Sequence, residues 1–78
     1  MKEVRKKILP KYFKEVWAGN KNFELRKDED NIHVGDMLHL MEWNGEAYTG
    51  NGYIVTVKYV LRNVPEYGLA EGYCIIGW

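Results

Sequence analysis

The sequence predicts a single α+β domain spanning residues 1–78, a small and strongly curved β-sheet or barrel of four or five strands with one short helix near its start. Three observations predict this. The chain has 78 residues, which is one domain at most. Its apolar residues recur mostly with period two and only once with helical spacing. Eight glycines against two prolines place tight turns between short elements.

Residues 2–8 carry Val4 and Ile8 among lysines and read as a short edge strand. Pro10 stands where a first helical turn tolerates it. Tyr12, Phe13, Val16 and Trp17 then form one apolar stripe, with Trp17 expected in the core, and Gly19 suits a left-handed C-terminal cap. From Asn22 the period becomes two: Phe23 and Leu25 face one way, and Asn22, Glu24 and Arg26 the other. Residues 27–31 are polar and read as a loop. Val34-Gly35-Asp36 is a turn signal, and Met37–Trp43 a strand. Asn44-Gly45 is a turn dipeptide, and Thr49-Gly50-Asn51-Gly52 is expected to be another. Tyr53–Leu61 is the longest strand expected. Pro65 and Gly68 mark residues 62–71 as a loop with room for a helical turn. Tyr73–Trp78 is a closing strand, apolar to its last residue and so expected to pair inside the sheet.

Composition narrows the function classes. Eleven basic and eleven acidic residues cancel, which excludes a polycation that binds by bulk charge. No apolar run is long enough to span a bilayer. No apolar segment follows the basic opening, so no secretory signal is expected, and the expected compartment is the cytoplasm. One cysteine, Cys74, forms no intrachain bridge and reads as a buried thiol. His33 and His39 lack a partner at zinc spacing, so neither a metal nor any other cofactor is expected. The balance is uneven along the chain: residues 1–27 hold nine basic and three acidic residues, and residues 28–78 hold two and eight. Such a division can turn a positive face toward a polyanion. Arg5, Lys6 and Lys7 are the residues best placed to track a nucleic-acid backbone, although basic residues on an edge strand also guard against aggregation.

The densest functional text is Gly19-Asn20-Lys21-Asn22-Phe23-Glu24-Leu25-Arg26. Glu24 and Arg26 are same-face neighbours about 7 Å apart along a strand. Lys21 joins them only if it lies in the turn before the strand. By pattern alone the pair reads as a surface ion pair worth under about 1 kcal/mol.

The string GNKNFELR resembles the GxKxxExR signature of ASCH domains (activating signal cointegrator homology), a branch of the PUA-like proteins. Val34-Gly35-Asp36, Glu42-Trp43 and Tyr48-Thr49-Gly50 follow in the order seen in a compact bacterial and bacteriophage ASCH-like family of unknown function. The resemblance covers nearly the whole chain. It implies a PUA-like, partly open mixed β-barrel of about five strands with one short N-terminal helix, and a ligand cleft lined by the signature. It also implies an RNA-linked or nucleotide-binding role, as a monomer or weak dimer. In that role Lys21 and Arg26 contact a phosphate or a base edge, and Glu24 accepts from an exocyclic amine. Trp43 and Tyr48, flanking the Asn44-Gly45 turn, are candidates to stack on a base.

Two rival classes accompany this expectation. One ASCH-like bacterial group hydrolyses the acetyl amide of N4-acetylcytidine through a lysine, a threonine and a distant glutamate. Lys21 matches the lysine. Glu24 stands at the threonine position, and the Arg62–Glu71 loop is too short for the segment that carries the glutamate, so no catalytic residue is assigned. The other rival is a phage accessory protein that binds a host protein through the same surface.

Overall fold

The computed structural model describes residues 1–78. Six strands, one α-helix and one 3-10 turn follow in the order β1 Glu3–Ile8, α1 Pro10–Trp17, β2 Phe23–Lys27, β3 Met37–Trp43, β4 Tyr48–Thr56, β5 Tyr59–Leu61, the turn Pro65–Tyr67, and β6 Tyr73–Gly77. They form two three-stranded sheets, ordered β1-β3-β4 and β2-β6-β5. β1 runs parallel to β3, and the other pairs are antiparallel. The domain is a small α+β fold, and its sheets do not close into a barrel.

The core lies between the sheets. Leu38 and Leu40 of β3 are fully buried, as is Ile76 of β6, and Cys74, Val55, Val57 and Ile8 close around them. α1 contributes Phe13 and Val16, one turn apart on its inner side. Pro10 opens this helix, and Gly19 follows it at φ 81°. At this φ a side chain would be strained, so the C-terminal turn requires glycine. β6 is the central strand of its sheet, which explains an apolar run that continues to Ile76.

Three expectations need correction. There are six strands and not about five, because the Tyr53–Leu61 segment divides. Its first part pairs with β3 up to Thr56. Val57 then donates its N–H to the Asp36 carbonyl, and Lys58 donates to Gly77 in the other sheet. The strand thus turns a corner from one sheet to the other, and the corner residue Val57 is buried.

Thr49–Gly52 is not a turn but the first half of β4. The register shifts between Met41 and Trp43, and Gly50, at φ 95°, absorbs the extra residues as a bulge. Glu42 ties the bulge down, accepting from Thr49 Oγ1 at 2.7 Å and Asn51 Nδ2 at 3.0 Å. Trp17 is not core: it is 66% exposed. An eight-residue helix turns only one narrow side inward, and Trp17 lies on its flank, stacked on Phe13 at 6.1 Å and edge-on to Tyr53 at 5.8 Å.

Candidate functional site

β2 is built inside out. It alternates as the sequence requires, but Phe23 and Leu25 are 49% and 57% exposed, whereas Glu24 is 5% exposed. Two backbone anchors set this register. Asn20 and Lys21 both donate their N–H groups to the Glu15 carbonyl, fastening the turn to α1, and Trp78 N–H donates to the Asn22 carbonyl. Lys21 therefore lies in the turn before the strand, and its side chain can fold back along β2.

Lys21, Glu24 and Arg26 converge. Lys21 Nζ donates to Glu24 Oε1 and, at 2.7 Å, to the Phe23 carbonyl. Arg26 Nε donates to Glu24 Oε2 at 2.7 Å. Arg26 Nη2 donates to the Lys7 carbonyl, which joins the two sheets across the cleft. Glu24 thus has one cation on each oxygen. Two of the carboxylate's four lone-pair sites are thereby used. Its direct effect is to hold two cations in fixed positions. The cations keep donors to spare. An ammonium has three N–H groups and a guanidinium five. The protein bonds above commit two of the Lys21 donors and two of the Arg26 donors.

The triplet lines a cleft of about 450 Å³ between β2, the end of β1 and α1, together with Lys7, Tyr12, Phe23 and Leu25. That volume suits a small organic ligand. The other sequence candidates divide. Lys7 stands with the cleft, and its ammonium lies 4.4 Å from the Trp43 ring centroid and 5.9 Å from that of Tyr48. Trp43 and Tyr48 face each other across β3 and β4, so Lys7 links the cleft to this aromatic pair. Arg5 faces outward beside Glu3, 3.3 Å from its carboxylate. Lys6 points to the other side of β1 and is held by Asp30 at 2.5 Å and Glu29 at 3.1 Å. Burial works to lower the Lys6 pKa, but those two carboxylates outweigh it and raise it. Arg5 and Lys7 share a face, and Lys6 does not join them.

Sequence reasoning missed the linking position of Lys7, whose only signal was its alternation with Lys6, and the cleft wall supplied by Tyr12 and Leu25. It also missed two locks behind the site. Arg62 grips Asp28 through two bonds of 2.6 and 3.1 Å, and this pairing holds the Asp28 pKa below the usual carboxylate value. Asp36 accepts the N–H groups of His33 at 2.9 Å and Lys2 at 3.0 Å, which lowers its pKa too. Cys74 is buried, and burial raises its thiol pKa. His39 lies over Gly52, where a Cβ would meet its ring at 2.7 Å. No helix is long and apolar enough to cross a membrane.

No curated protein matches the chain. The family described as "Domain of unknown function (DUF3850)" matches residues 5–78, from the middle of β1 through the cleft-forming β2 to the last residue, and the chain belongs to that family.

Proposed function

We propose that the domain is a cytoplasmic RNA- or nucleotide-binding module of the ASCH and PUA-like type, and that its ligand enters the cleft beside Lys21, Glu24 and Arg26. One observation carries this reading: a strand turns its charged side inward and its apolar side outward around a buried carboxylate with two cations. Burying such a group is no gain for stability, because the desolvation of the charges offsets their attraction. A binding role explains why the arrangement is kept. The triplet has a net positive charge, and its uncommitted N–H donors suit a phosphate or a carbonyl oxygen. Lys7, Trp43 and Tyr48 extend the surface with a cation beside two aromatic rings, a combination that suits a neighbouring nucleotide of a single strand. The module acts as a monomer or weak dimer.

The test is mass spectrometry of material released from the purified protein, followed by fluorescence anisotropy with a short single-stranded RNA over a salt series. Binding should weaken as salt rises, because phosphate contacts release counterions. Binding that is flat with salt, or no binding to RNA or nucleotides, refutes the reading.

A further inference from the structure

β2 is an edge strand, paired on one side only with β6. The register shows which of its backbone groups are open. Trp78 N–H donates to the Asn22 carbonyl, and Asp28 N–H donates to the Gly72 carbonyl. In an antiparallel pair the bonded residues alternate, so Glu24 and Arg26 also bond toward β6. Phe23, Leu25 and Lys27 therefore turn their backbone groups to the open edge, and the cleft lies along it.

An open edge ordinarily invites another strand. Here it is stopped at both ends. The Phe23 carbonyl accepts from Lys21 Nζ at 2.7 Å, and the Lys27 carbonyl accepts from Glu29 N–H at 3.0 Å. An added strand needs a run of alternating donors and acceptors. Only Leu25 offers both an N–H and a C=O, side by side and facing the cleft. One donor with one acceptor is too little for a strand, but it matches the edge of a nucleobase, where a donor and an acceptor lie next to each other.

We infer that the Leu25 peptide group reads the edge of an unpaired nucleobase in the cleft, while Lys21 and Arg26 hold its phosphate. The inference rests on the nucleotide-binding reading and adds a specific contact to it. The contact is made by backbone and needs no particular side chain at position 25. It also explains an exposed leucine there, because the base requires the peptide and only a non-polar cover beside it.

The experiment uses the isotopically labelled full chain and follows its amide signals by NMR during titration with UMP, CMP, AMP, GMP and ribose 5-phosphate. At least one nucleotide should move the Leu25 amide proton downfield and slow its exchange with solvent. Ribose 5-phosphate, which has no base, should bind at least about 10-fold more weakly. If nucleotides bind and perturb Lys21 and Arg26 but leave the Leu25 amide unchanged, the inference falls and the nucleotide reading stands. Ribose 5-phosphate binding within twofold of the best nucleotide has the same consequence. If none of the five probes binds, this inference falls, and the RNA anisotropy series decides the reading it rests on. A blocked Val-Thr-Val peptide that protects the Leu25 amide where no nucleotide does would replace the base with a peptide strand and overturn the inference.

Discussion

Replacing Glu24 with alanine removes the anion between Lys21 and Arg26 and leaves two cations whose side chains are only 16% and 26% exposed. Breaking a buried ion pair from one side costs about 3–5 kcal/mol. The partial exposure of both cations lets water reach them, which reduces the cost to about 2–3 kcal/mol. A slope of about 1–1.5 kcal/mol/M in urea is reasonable for so small a domain, so the unfolding midpoint should fall by roughly 2 M. Equilibrium urea unfolding followed by tryptophan fluorescence measures this directly.

The companion variant replaces the whole triplet: Lys21→Met, Glu24→Leu and Arg26→Met together. It removes the buried charges and the cost of desolvating them, so its unfolding free energy should lie within about 1 kcal/mol of the natural protein's, or above it. A triple variant as unstable as Glu24→Ala would show that the triplet is kept for stability, and that would refute the reasoning. A Glu24→Ala cost below about 0.5 kcal/mol would show that the carboxylate is not holding buried cations.

Three further outcomes are expected. The Asp28 pKa is lowered in the fold by Arg62, so its contribution to stability is fully present above the unfolded carboxylate pKa near 4 and is lost as the pH falls through the lower folded value. Asp28→Asn should therefore flatten part of the acid limb below about pH 4, read as urea midpoint against pH. Lys7→Glu should weaken RNA binding and reduce the salt slope by about 1 or more, whereas Lys6→Met, which breaks the contacts to Glu29 and Asp30, should lower the melting temperature and leave that slope nearly unchanged. Purified protein incubated with N4-acetylcytidine should release no cytidine above background by chromatography. Clear turnover that disappears in Glu24→Ala would make Glu24 catalytic.

Much of the architecture is legible in the sequence because local rules and tertiary packing agree there. Pro10 and Gly19 bracket the helix, Asn44-Gly45 makes the β3–β4 turn, and the apolar alternation of Leu38 and Leu40 marks a half-buried strand. Alternation in Phe23–Arg26 reveals two faces but cannot say which is inside, because an apolar side is ordinarily buried. Here backbone anchors at Glu15, in the preceding helix, and at Trp78, more than fifty residues away, reverse it. The corner at Val57–Lys58 escapes for a similar reason: a β-branched run stays extended on either side of a change of sheet. The Gly50 bulge resembles a turn because both need the same backbone freedom. Of the candidate site, the Lys21, Glu24 and Arg26 cluster follows from spacing once Lys21 is placed in the turn. The separation of Lys6 from Lys7 required the facing carboxylates of a loop more than twenty residues away.

The most direct test of the binding role is fluorescence anisotropy with a labelled single-stranded RNA, comparing the natural protein with the folded triple variant Lys21→Met, Glu24→Leu, Arg26→Met at one low and one moderate salt concentration. The natural protein should bind with an affinity that falls with salt, and the variant, equally folded by circular dichroism, should lose binding at least about 10-fold. Equal binding by the two proteins would contradict the assignment of the cleft as the ligand site.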